Sequence, residues 1–86
     1  MAQTVKEQLQ VRVRSPYQDY FTGTANSISA YNRLGLFDVL PEHAPLFSLL
    51  EPGVVTVVTA TETLRFKVQN GILKNKNNQV DVFLNI

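Results

Sequence analysis

Apolar and polar residues alternate along most of this chain with a period of two. In LQVRVRS, Leu9, Val11 and Val13 share one side while Gln10, Arg12 and Arg14 share the other. LRFKVQ repeats the pattern, with Leu64, Phe66 and Val68 predicted inward and Arg65, Lys67 and Gln69 outward. In QVDVFLNI the inward set is Val80, Val82, Leu84 and Ile86. VVTVVT, residues 54–59, is β-branched on both sides, which predicts a strand covered on both faces. Between Phe21 and Ala30 the apolar parity changes, from Phe21 and Ala25 to Ile28 and Ala30. A one-residue slip would turn half of these outward, so a bulge or strand break is expected at Asn26 and Ser27.

Turn chemistry separates these runs. Ser15-Pro16-Tyr17-Gln18 fits a turn with proline at its second position. Asn70-Gly71 is a strong hairpin signal, and Asn75-Lys76-Asn77-Asn78 reads as another polar turn. Only Phe47 to Leu50 suits a helical turn, and Pro45 and Pro52 bracket it too closely for more. Many short strands with frequent turn signals predict an all-β sandwich or barrel.

Composition narrows the class. Eighty-six residues fit one domain with a modest core, spanning 8–86 behind a polar extension at 1–7. Eight basic and seven acidic residues leave a net charge of +1, too small a bias for nucleic acid or an acidic lipid surface. The absence of cysteine excludes disulfides, thiolate metal sites and cysteine nucleophiles. Nothing reads as a signal peptide or a membrane span, so a soluble, cytosolic chain is expected.

Candidate chemistry is sparse. His43, with Glu42 beside it and Asp38 nearby, is the natural general base, but no nucleophile motif or second proton-transfer group accompanies it. No phosphate-binding glycine loop, nucleophile elbow or spaced metal ligands occur, so neither catalysis nor a cofactor is expected. Arg12, Arg14, Arg65 and Lys67 would form a basic sheet face if their strands lay together; the plainer reading is the wet side of alternating strands. Phe83 stands on the side of Asp81 and Asn85, where water is expected, which marks a contact surface or a covered second face. Tyr17, Tyr20 and Tyr31, near turns, either extend such a surface or cap the core.

The segment GLFDVLPEHAPLFSLLEPGVV, residues 35–55, carries three prolines and the only histidine between apolar runs. It resembles the corner of the epsilon subunit of F-type ATP synthases (delta in mitochondria), where a glycine-containing segment runs into Pro-Gly-His-Ala-Pro, two leucines and Lys-Pro-Gly before a valine strand. LQVRVRSPYQDYFTGTANSISA is similar to the family's opening, and FKVQNGILKNKNNQVDVFLNI to its closing. The resemblance runs through residues 8 to 84 without a large gap. It implies a flattened antiparallel β-sandwich of two sheets with about ten short strands. It also implies a non-catalytic rotor subunit of the central stalk, peripheral on the cytoplasmic face of the membrane. Such a subunit couples ion translocation to ATP synthesis by binding the gamma subunit and the c ring.

By position, Ser15, His43 and Ser48 match the gamma-facing edge, and Arg33, Leu34, Gly35, Leu36 and Phe37 match the loop that meets the c ring. Asp38 and Glu42 stand where the family has glycine, Leu36 where it has an acidic residue facing the ring, and Asn70-Gly71 where it has two glycines. Positive φ at Asp38 or Glu42 would strain the backbone. The family's two C-terminal helices have no counterpart in these residues, so their regulatory and ATP-binding roles are not carried over. Where such helices exist, the face carrying Phe83 is their expected seat. The alternative is a stand-alone β-sandwich module with the same fold and a different partner.

Overall fold

The computed structural model describes residues 8–85, so the expected extension at 1–7 and the inward placement of Ile86 lie outside the described residues. Nine strands are present among them, against the ten or so expected: β1 (Leu9–Arg14), β2 (Asp19–Ala25), β3 (Ser27–Asn32), β4 (Gly35–Val39), β5 (Leu46–Leu50), β6 (Gly53–Val58), β7 (Thr63–Val68), β8 (Asn70–Lys76) and β9 (Gln79–Asn85). They form two sheets, ordered β2-β1-β9-β8-β5 and β4-β3-β6-β7. All pairings are antiparallel except β1 with β9, which run parallel.

The period-two pattern places the core between the sheets. Leu9, Val11 and Val13 of β1 and Val80, Val82 and Leu84 of β9 are buried side by side. Ile28, Ala30, Val55, Val57 and Val68 close over them from the four-stranded sheet, and half-buried Leu64 and Phe66 pack against the same core. The expected break is real. The chain bends at Asn26, whose N–H donates to Val58 O, and β2 passes into the other sheet as β3. Changing sheets is what reverses the apolar parity, because the inward direction itself reverses.

Several local expectations are corrected by strand pairing. Phe47 to Leu50 form no helical turn; they lie in edge strand β5, with Ser48 and Leu50 inward and Phe47 and Leu49 exposed. Asn70-Gly71 closes no hairpin, since β7 and β8 belong to different sheets and the chain crosses between them there. The tight hairpin is β8–β9, where Lys76 pairs with Gln79 around Asn77 (φ 53°) and Asn78 (φ 62°). Two consecutive positive φ values are the mark of a type I′ turn, which asparagine tolerates. Asn75 and Lys76 therefore belong to a strand, not to the turn.

Strand β6 is covered on its inner side only, as Val54 on the other side is exposed. The basic residues do not converge either: Arg12 and Arg14 lie in the five-stranded sheet, Arg65 and Lys67 at the edge of the four-stranded one, and all four face away from the core between them.

Candidate docking surfaces

The corner between β4 and β5 begins with a tight turn. Leu40-Pro41-Glu42-His43 closes through His43 N–H donating to Leu40 O at 3.1 Å. Pro41 supplies the fixed φ of the second position, and Glu42 at the third has φ 69°. Positive φ at that position defines a type II turn, which favours glycine, and a side chain there costs about 1–2 kcal/mol. Glu42 is thus strained, whereas Asp38 lies in ordinary strand geometry and accepts a hydrogen bond from Ser29 Oγ.

Two asparagines of the β8–β9 hairpin hold this corner. Glu42 N–H donates to Asn78 Oδ1 at 2.7 Å, and Asn78 Nδ2 donates back to Glu42 Oε2 at 3.1 Å. Asn75, only 2% exposed, donates from Nδ2 to His43 O (3.4 Å) and Ala44 O (3.3 Å). His43 itself is exposed, with Nδ1 2.8 Å from Ala44 O, which places a proton on Nδ1 and turns Nε2 away from that bond. Neither Asn75 nor Asn78 stands out in the sequence as a clasp, because NKNN has the composition of a turn. The available signal was two adjacent asparagines suited to consecutive positive φ.

The segment expected as a ring-facing loop is a hairpin. Arg33 and Leu34 form its tip, Asn32 pairs with Gly35, and Leu34 N–H donates to Asn32 Oδ1 at 2.8 Å. Gly35 adopts φ 115°, a region closed to other residues, and so fixes the geometry of the tip. Leu34 (95% exposed) and Leu36 (61% exposed) project outward, while Phe37 packs inward against the core. Leu36 pairs with the partly exposed Tyr31 in a short apolar row.

The three expected stalk residues are not brought together. Ser15 follows the end of β1 whose neighbours on β9, β8 and β5 lead to Glu51, which bonds Tyr31 beside the hairpin tip. His43 lies at the opposite end, over the β8–β9 turn. Ser15 Oγ accepts from Tyr17 N–H, Gln18 N–H and Tyr20 Oη, so this hydroxyl organises its own turn. Ser48 is 8% exposed; its Oγ accepts from Asn32 Nδ2 at 3.2 Å and ties β5 to the other sheet.

On the outer face of the five-stranded sheet, Phe83 is exposed beside Ile72 and Leu49, and the Arg14 guanidinium lies 4.4 Å from its ring centre. The tyrosines divide: Tyr17 is almost wholly exposed, Tyr31 partly so, and Tyr20 packs on Phe66 at 6.0 Å between ring centres. Among the described residues no group of three His, Cys, Asp or Glu could hold a metal ion, and no helix is long and apolar enough to cross a membrane.

The fold is a two-sheet sandwich with a proline-stiffened corner at one end and an apolar hairpin at the other. Over residues 8–85 the chain matches the family described as ATP synthase, Delta/Epsilon chain, beta-sandwich domain, and it belongs to that family. The ATP synthase epsilon chain of Xanthomonas campestris is 39% identical over 71 residues, covering 81% of this chain and 51% of the relative. That of Synechococcus elongatus is 35% identical over 77 residues, covering 90% and 56%. The chain thus spans about half the length of the curated relatives it matches. Two solved structures share the fold. A chain of the Tetrahymena thermophila mitochondrial ATP synthase central stalk and c ring matches with TM-score 0.79 and 18% identity over 94% of this chain and 66% of that one. A chain of the Euglena gracilis mitochondrial ATP synthase matches with TM-score 0.83 and 16% identity over 95% and 53%.

Proposed function

We propose that this chain acts as a non-catalytic rotor-stalk component of an F-type ATP synthase, binding the gamma subunit and the c ring and turning with them. The family match over residues 8–85 carries the reading. The corner at His43 supports it, because a docking surface already held in shape loses little entropy on binding. The stalk meets His43 at the corner and runs along edge strand β5, reaching Ser48 through its backbone because the hydroxyl is turned inward. Ser15 marks the far end of that contact. The hairpin of residues 33–37 faces the ring, with Leu34 and Leu36 offering an apolar contact. Membrane contact runs through these partners, on the cytoplasmic face.

A second reading, a sandwich module that grips another protein, is favoured by the changes at Leu36 and Glu42 on the proposed surfaces. Calorimetric titration against the gamma subunit of the same source separates the two. Saturable one-to-one binding, weakened by His43→Ala, is expected; no binding between two folded proteins would refute the stalk reading and leave the second.

A further inference from the structure

The corner could close its turn through His43 N–H alone, yet three successive residues are gripped from outside. The Glu42 amide is bound by Asn78 Oδ1, and the carbonyls of His43 and Ala44 by Asn75 Nδ2. Both asparagines come from one hairpin, and Asn78 sits in its turn at φ 62°. The bond is reciprocal at Glu42, whose carboxylate accepts from Asn78 Nδ2. Glu42 is itself left-handed, so the strained turn and the two-way contact occur at the same residue.

Ala44 O joins this contact to the imidazole. It accepts from Asn75 and also lies 2.8 Å from His43 Nδ1. Moving that carbonyl would turn the His43 ring with it. Asn75 has no freedom to follow a displaced corner, because it is buried in β8 between its pairings with Leu46 and Val80. The hairpin is in turn anchored to the first strand, where Gln10 N–H donates to Asn78 O at 2.7 Å. The clasp therefore connects an exposed corner to the centre of the five-stranded sheet.

We infer that Asn75 and Asn78 are positioning residues that set the corner and the His43 ring in their docking shape before a partner arrives. This rests on the corner being the stalk contact. Its physical content is that the clasp raises the fraction of chains competent to bind, and so acts on the association rate. Neither asparagine need touch the partner.

The test uses the full chain and begins without any partner. Asn78→Gly retains a residue suited to the type I′ turn and removes the reciprocal contact with Glu42. Glu42→Gln keeps an oxygen acceptor for Asn78 Nδ2 without the charge. Amide hydrogen exchange at Glu42 and His43 is expected to quicken by about tenfold in Asn78→Gly, with core amides of β1 and β9 unchanged. Glu42→Gln is expected to exchange as the parent does. The ¹⁵N shifts of neutral His43 should report a proton on Nδ1 in the parent and a tautomer mixture in Asn75→Val, which removes the amide that holds Ala44 O.

Stopped-flow association with the gamma subunit should then slow by roughly three- to tenfold in Asn78→Gly alone, with little change in dissociation. Unchanged exchange in Asn78→Gly and an unchanged tautomer in Asn75→Val would overturn the clasp whatever the binding does. Altered exchange with an unaltered association rate would overturn its part in docking. Failure of the parent chain itself to bind gamma would refute the stalk reading, and with it that part, while exchange alone would still decide whether the corner is clasped.

Discussion

Gly71 is the position at which a single methyl group should do most damage. At the crossover into β8, a Cβ on this residue would lie 2.3 Å from Phe83 O and 3.3 Å from Phe83 C. A carbon and a carbonyl oxygen normally approach no closer than about 3.3 Å, so roughly 1 Å must be found by moving backbone. Neither side offers it, because Gly71 pairs with Leu84 of β9 on one side and Leu50 of β5 on the other.

Overpacking of this kind costs about 1–3 kcal/mol, and loosening one ladder hydrogen bond adds about 1 kcal/mol. Reduced freedom of the unfolded chain returns about 0.4–1 kcal/mol. The net expectation for Gly71→Ala is a loss of about 1–4 kcal/mol, or a Tm lower by roughly 5–25 °C for a domain of this size. Urea and thermal unfolding followed by far-UV circular dichroism measure it. Gly53→Ala is the control: its Cβ would meet Tyr31 Cδ1 at 2.8 Å, but that ring is partly exposed and can swing aside. A loss below about 0.5 kcal/mol in Gly71→Ala, or a larger loss in Gly53→Ala, would refute the backbone-clash argument.

Phe66→Ala should destabilise by about 2–3 kcal/mol, at or just below the lower end of the range for aromatic truncation, because the ring is only half-buried against Tyr20 and the core; an unchanged urea midpoint would contradict that facing. Ser15→Ala should cost about 1 kcal/mol by removing the acceptor shared by Tyr17, Gln18 and Tyr20, and a melting curve identical to the parent would show the turn indifferent to it. Leu36→Asp and His43→Ala should leave Tm within about 2 °C of the parent, since both side chains are exposed, while weakening pull-down of the c ring and of gamma respectively; unfolding in either would place the residue in the core.

Side-chain facing was legible in the sequence because it is a local property of a strand. The inward sets of β1, β7 and β9 and the break at Asn26 follow from parity alone. Strand partnership is not local. Asn70-Gly71 has hairpin composition, but its glycine answers to the nearby backbone of Phe83 rather than to a turn. Phe47 and Leu49 read as a possible helical turn because edge strand β5 exposes them, which blurs its alternation. The corner was conspicuous by its prolines, whereas its fastening by Asn75 and Asn78 was hidden because those residues lie beyond three intervening strands. The partner of the inward Ser48, Asn32 across the sandwich, is likewise non-local.

The parallel pairing of β1 with β9 places the first strand of the domain beside the last. On the ribosome, β1 can pair with β2 at once but must wait for residues 79–85 before its other edge is filled. At 5–20 residues per second that interval is on the order of ten seconds, during which a strand carrying Leu9, Val11 and Val13 stands half-paired. The five-stranded sheet therefore closes around β1 only as β9 emerges, and until then the nascent chain presents an unpaired strand edge open to wrong partners.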